Sequence, residues 1–205
     1  MFTDLILAIT NFIISTIDQL GYTGVAFLMA IESAAIPLPS EVIMPFSGFL
    51  VEAGRFTLFG LAVAGAVGSV VGSVATYALG YYGGRPLILK YGRYVLISEN
   101  DLKLTEKFFQ RFGKLSVFVG RMLPVVRTFI SIPAGIGKVP LGSFIVIAFI
   151  GSFIWSYFLA WLGLKLGENW QLLEGYFRKF DAVIVIVIVA VIVWWIRRHI
   201  KSRIK

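Results

Sequence analysis

A chain of 205 residues that is 58% hydrophobic and 15% charged, with a mean hydropathy of +0.86, exceeds the ~45–50% apolar content of ordinary globular chains. It cannot hide that much apolar surface in a water-soluble core. Its formal charge of +8 would suit a nucleic-acid ligand, yet the positive residues gather where membrane topology needs them, so no nucleic-acid partner is expected. The length fits one domain, 1–205, and lipid cannot satisfy an open sheet edge, so the expected fold class is an all-α integral membrane protein.

In chain order, Leu5–Ile17 is apolar but short and bracketed by Asp4 and Asp18. It either lies at the interface or forms one end of a spanning helix that continues past Gly21. It lacks the basic start and small-residue cleavage site of a secretory signal, so the N-terminus is expected to be kept. Gly24–Leu50 is interrupted by Glu32, Pro37, Pro39, Glu41 and Pro45. Proline removes a backbone donor and clashes with the preceding turn, which hydrocarbon tolerates only where protein or a wet cavity satisfies the freed carbonyls. This stretch reads as a broken, re-entrant hairpin shaped by Pro37 and Pro39.

Leu58–Tyr82 is uncharged throughout and exceeds the ~20 residues a span needs. The linker 85–114 follows; within it Ser98–Phe112 starts with Ser98 and Asp101 and carries Leu102, Leu104, Phe108, Phe109 and Phe112, the pattern of an amphipathic helix on the inner leaflet. Leu115–Ile136 holds Arg121, Pro124, Arg127 and Pro133, a second broken hairpin shaped by Pro124 and Pro133. Leu141–Leu164 is again an uncharged span. Ala182–Ile196 closes with Trp194 and Trp195 before a basic run, an interfacial anchor followed by positive charge, and predicts a C-terminal span within 180–205.

The two halves repeat. The segment Gly68–Gly84 set on Gly151–Gly167 aligns Gly68 with Gly151, Ser69 with Ser152, Ser73 with Ser156, Leu79 with Leu162, Gly80 with Gly163 and Gly84 with Gly167. With Gly72, these glycines are expected to let helix backbones approach closely. A broken hairpin precedes each copy, so 21–84 and 115–167 form two hairpin-plus-span units. Tyr77, Trp155, Tyr157 and Trp161 lie on or beside the repeated spans, where packing is a commoner role for aromatic residues than lining a lipid path.

Charge sets the orientation. The linker carries seven cations (Arg85, Lys90, Arg93, Lys103, Lys107, Arg111, Lys114) against three acids, and the tail carries Arg197, Arg198, Lys201, Arg203 and Lys205 with no acid. Both are expected in the cytoplasm, with the balanced loop from Lys165 to Asp181 outside. The first hairpin then opens from outside and the second from the cytoplasm, an inverted-topology repeat of the kind that places a substrate site near the midplane.

The chain has no cysteine and a single histidine, His199, in the basic tail. Neither a metal cluster nor a nucleophile triad can be assembled, and no Gly-Lys-Ser phosphate loop appears, so no cofactor is expected and an ion gradient is the natural driver. Four charges remain inside the apolar stretches: Glu32 and Glu41 on the first hairpin, Arg121 and Arg127 on the second. They either lock the hairpins together as buried ion pairs or work on a substrate. In the second reading Arg121 and Arg127 bind an anionic headgroup through the planar guanidinium fork, while Glu32 and Glu41 carry protons, and a proton on a glutamate frees an arginine for substrate.

Glu32-Ser-Ala-Ala-Ile-Pro37-Leu-Pro39-Ser-Glu41, the pattern Gly68, Gly72, Tyr77, Gly80, Gly84, and Phe118-Val-Gly-Arg121-Met-Leu-Pro124-Val-Val-Arg127 resemble the signature motifs of the DedA family of VTT-domain membrane proteins, over roughly Gly21 to Gly167. The resemblance implies an inner-membrane transporter that recycles lipids between leaflets under the proton motive force. Members are assigned to the anionic carrier undecaprenyl phosphate or to phosphatidylethanolamine. It also implies an essential acidic pair and arginine pair, which fall on Glu32, Glu41, Arg121 and Arg127; many members carry aspartate where this chain has Glu41. The expectation is a multi-pass flippase, not an enzyme, with polyprenyl phosphate and protons as partners and a homo-oligomer allowed. A phospholipid transporter, a passive scramblase and a proton-coupled antiporter of a soluble substrate are the alternatives.

Overall fold

The computed structural model of the chain describes residues 2–36, 38–84 and 99–166. The expected C-terminal span and tail, Pro37, Gly167 and the first part of the linker lie outside the described residues. Within them the chain is helical, with no strand: α1 Phe2–Leu20, α2 Tyr22–Ser33, α3 Ser40–Glu52, α4 Leu58–Ala78 continued by a π-turn over Leu79–Gly83, α5 Glu99–Met122, α6 Pro124–Phe129, α7 Ser131–Ile136 and α8 Leu141–Leu166.

Local chemistry explains the breaks. α1 does not run on into the next helix, because Gly21 adopts φ 60°, a left-handed conformation that suits glycine; its N–H still caps Ile17 O at 2.9 Å. Ile13 and Ile17 of α1 are buried in an apolar cluster with Val25, Leu28, Met29, Ile43, Met44 and Leu61. Between α2 and α3, Ala35 sits at φ 65° and Pro39 is extended at φ −78°, ψ 108° before α3 begins. Leu123 is likewise extended, φ −98°, ψ 122°, as a residue preceding proline prefers, and Pro124 opens α6. α5 is broken at Gly113, φ 34°, ψ −107°, one residue before the expected end of the linker. Its first part buries Phe109 and exposes Phe108 and Phe112 beside Arg111, whose guanidinium lies 5.5 Å from the Phe112 ring.

Leu58–Gly83 and Leu141–Lys165 are each long and apolar enough to cross a bilayer. More telling is which side of them is polar. α8 turns Val146, Ile150, Ile154, Phe158 and Trp161 outward, and α4 exposes Val67 and Val71. Buried in the interior are Glu32, Arg121, Arg127, Thr76 and a set of serines. An apolar exterior around a polar interior suits lipid as the solvent and would be costly in water.

α4 and α8 pass close to their neighbours through glycines. A Cβ at Gly68 would run into the Ala26 carbonyl of α2, and one at Gly72 into that of Ala30. Further contacts come in pairs separated by 83 residues on α4 and α8. Gly80 meets the Ile132 carbonyl while Gly163 meets that of Pro45, and Gly135 meets the Tyr77 carbonyl while Gly48 meets that of Ala160. α3 thus sits on the C-terminal half of α8 as α7 sits on the C-terminal half of α4. Gly84 lies against Ile136, and a Cβ added at Gly151 would come within 3.1 Å of Arg121 Cβ. Since a methyl at Gly80 or Gly163 would strike backbone that cannot swing aside, Gly163→Ala and Gly80→Ala are each expected to cost ~1–3 kcal/mol. Thermal unfolding of the purified chain, followed by loss of the monodisperse peak, should show both midpoints lowered, with Gly142→Ala as a neutral control because that site is open.

Candidate functional site

The four intramembrane charges do not form two equivalent pairs. Arg127, on α6, donates from Nη2 to Glu32 Oε2 at 3.2 Å, and both side chains are buried, at 2% and 5% exposure. Glu32 closes the last turn of α2, so this ion pair joins the ends of the two broken helical segments. Thr128 Oγ1 and Ser33 Oγ reach the same carboxylate at 3.4 Å, and the Arg127 guanidinium lies over the Trp155 ring at 5.5 Å.

Arg121 is held in a different manner. It ends α5, is 2% exposed, and donates to the hydroxyls of Ser73 on α4 (2.5 Å), Ser152 on α8 (3.1 Å) and Ser131 on α7 (3.3 Å). Its guanidinium also sits 5.7 Å from the Phe144 ring, a favourable cation–π arrangement when desolvated. Among the described residues no carboxylate lies within ion-pair distance of it, so a buried cation is solvated by neutral hydroxyls alone. Hydrogen bonds to a charged group contribute ~1.5–3 kcal/mol each, and four helices converge on one side chain. Arg121 Nε and Arg127 Nη1 remain without a partner among the described residues, as do Ser69 Oγ and Ser156 Oγ.

Glu41 stands apart. It lies in the first turn of α3, half-buried, and accepts from Ser40 Oγ at 3.3 Å; a carboxylate in that turn is favoured by the helix dipole. Of the sequence-derived candidates, then, Arg127 and Glu32 are in contact, Arg121 is near them in a hydroxyl cradle, and Glu41 is in neither contact. Ser73, Ser131, Ser152 and Thr128 were not singled out as site residues by the sequence reading. Ser73 and Ser152 appeared there only as matched positions of the repeat, and repeated serines on the glycine-bearing face of a span were the signal. Trp155, weighed as packing, lies against the guanidinium of Arg127.

The VTT domain matches residues 38–165. The chain belongs to the VTT-domain (DedA) family of membrane proteins. It is 36% identical over 180 residues, 88% of this chain and 89% of the relative, to a Bacillus subtilis (strain 168) protein named undecaprenyl phosphate transporter A. A Staphylococcus aureus (strain NCTC 8325 / PS 47) protein of the same name is 26% identical over 91% of this chain and 94% of the relative. A Lactococcus lactis subsp. lactis (strain IL1403) relative, 34% identical over 93% of this chain and 92% of its own length, is named alkaline phosphatase-like protein. No solved structure matches the chain.

The VTT-domain chain buries an ion pair whose halves depend on each other. Arg127→Ala leaves the Glu32 carboxylate buried without its guanidinium and is expected to cost ~3–5 kcal/mol, whereas the double replacement Arg127→Met with Glu32→Leu should recover most of that loss. A double-mutant cycle of Arg127→Met, Glu32→Leu and the two combined, read on unfolding midpoints, measures the coupling, and a single-site loss that the double replacement does not relieve would contradict the pairing.

Proposed function

We propose that this chain moves an anionic lipid between leaflets of the cell membrane, with a polyprenyl phosphate carrier such as undecaprenyl phosphate as substrate and proton entry as the driver. The observation that carries the reading is Arg121: a fully buried guanidinium among serine hydroxyls whose Nε has no partner among the described residues, beside Arg127, whose Nη1 has none there either. Glu32, Arg127 and Arg121 together leave one uncompensated positive charge in the interior. A phosphate headgroup is the anion whose geometry suits the two forks. The name carried by the Bacillus subtilis and Staphylococcus aureus relatives points to the same substrate class.

In this reading Arg121 and Arg127 receive the phosphate, and Glu32 and Glu41 carry the protons. Protonation of Glu32 dissolves its ion pair and releases the Arg127 fork toward the headgroup; loss of the proton re-forms the pair and expels the anion. Alternation between the two sides calls for an inverted repeat. The paired contacts of α3 on α8 and α7 on α4 support it, and the run of cations after Gly84 favours a cytoplasmic location for that end of α4.

The test is movement of labelled polyprenyl phosphate in proteoliposomes with and without an imposed proton gradient. Arg121→Lys keeps the charge but loses the fork, and should slow movement about 10–100-fold, the equivalent of ~1.5–3 kcal/mol of charge-assisted bonding. Glu41→Gln should abolish stimulation by the gradient. Movement indifferent to gradient and to Glu41 would make the protein a passive scramblase, and release of inorganic phosphate from the substrate would make it an enzyme; either result sinks the proposal.

A further inference from the structure

Away from the arginines, a cleft of ≈ 340 Å³ opens between the π-turn that ends α4 and the turn that joins α7 to α8, with Val74, Tyr77, Tyr81, Tyr82, Lys138 and Leu141 among its lining. Its chemistry is amphiphilic. Val74 and Leu141 offer apolar wall, Tyr81 and Tyr82 present rings with hydroxyl tips, Tyr77 is buried with its hydroxyl donated to Val139 O at 2.6 Å, and Lys138 supplies a cation that makes no ion pair with a carboxylate among the described residues. Tyr82 is 77% exposed and Tyr81 44%, which suits rings lying at a membrane–water boundary. The π-turn itself is a rare local geometry often found at functional sites.

Lys138 is the residue out of place. It follows the C-cap Gly137 of α7 with φ 53°, while its N–H bonds Gly135 O at 3.0 Å and Val139 N–H bonds Ala134 O at 3.1 Å. That left-handed position after a helix end is where glycine is the ordinary residue, and a lysine there carries backbone strain of ~1–2 kcal/mol. Local stability would favour glycine, so the cation at this point calls for another reason. From the cleft, aromatic contacts run inward: Tyr81 stacks on Tyr77 at 5.9 Å, Tyr77 tilts on Phe144 at 4.8 Å, and Phe144 lies under the Arg121 guanidinium.

We propose that this cleft is a headgroup site for a phosphate-bearing lipid of the inner leaflet, with Lys138 as anchor and Tyr81 and Tyr82 at the interface, one aromatic column away from Arg121. Its placement in the inner leaflet rests on the orientation in the functional reading above; its selectivity for an anionic lipid does not. The occupant is a lipid because the cation sits at the mouth of an apolar-walled cleft, where an acyl chain can lie along Val74 and Leu141.

The experiment places a benzophenone amino acid at Tyr82 of the full chain in phosphatidylcholine nanodiscs carrying a minor fraction of phosphatidic acid, and identifies the captured lipid by mass spectrometry. Phosphatidic acid should be captured well above its bulk share. Lys138→Gly removes the charge while relieving the strained backbone, so it should fold at least as well as the unmodified chain, yet lose about fivefold in that preference, the equivalent of ~1 kcal/mol for one cation at an anionic surface. Lys138→Arg should retain it. Capture in proportion to bulk composition, a preference unchanged in Lys138→Gly, or full displacement by inorganic phosphate, which would mark a free-anion site, each overturns the proposal. Crosslinking reads occupancy and not movement. A chain that fails the transport assay but captures phosphatidic acid in a Lys138-dependent way therefore separates the two readings: the first falls and the second stands.

Discussion

Two guanidinium groups buried among apolar helices are the constraint on which the rest of this structure depends. An ionised side chain in hydrocarbon is tolerated only when paired or hydrogen-bonded, and this chain meets the requirement twice by different means. Arg127 takes a carboxylate from α2, while Arg121 takes hydroxyls from α4, α7 and α8. Each solution recruits elements distant in sequence, so the broken helices are held by polar contacts in a setting where lipid gives little hydrophobic drive for helix association.

Close packing makes those contacts reachable. A hydroxyl on a short serine side chain meets a guanidinium on another helix only where the helix axes approach, and the glycines of α4 and α8 permit that approach. Gly68 and Gly72 bring α4 against α2, whose last turn carries Glu32, and Gly151 makes room beside Arg121 Cβ. The same glycine faces carry Ser73 and Ser152. At Gly151 and Ser152 small residue and polar ligand belong to one device: the glycine admits Arg121 and the adjacent serine accepts from its guanidinium.

Much of this was legible in the sequence, and the omissions have physical causes. Hydropathy located α4 and α8 because a spanning helix must be continuously apolar, and proline marked the breaks at Pro39 and Pro124 because each fixes its own φ and restricts its neighbour. Glu32 and Arg127 stood out as charges with no water to justify them. The hydroxyl cradle was harder to see, since serine in a membrane helix is also a generic packing residue and nothing in a linear pattern says which serine faces an arginine. Trp155 was underweighted for the same reason. Lys138 had no signal at all: a lysine beside a glycine reads as an ordinary loop cation until its backbone conformation is known.

The difference between the two arginines bears on how such a core could work. A carboxylate partner can be removed by one proton, so the Arg127–Glu32 contact is switchable; hydroxyls do not titrate in any relevant range, so the cradle around Arg121 is constant. A site made only of ion pairs would have no standing affinity for an anion until protonated, and a site made only of hydroxyl-held arginines would have affinity that no proton could alter. In the lipid transporter proposed for this chain, combining one of each would give a fixed attraction for a phosphate together with a second attraction that a proton turns on. Glu41 lies outside the pair. Half-buried in the first turn of α3, it is more exposed than Glu32 and holds neither guanidinium.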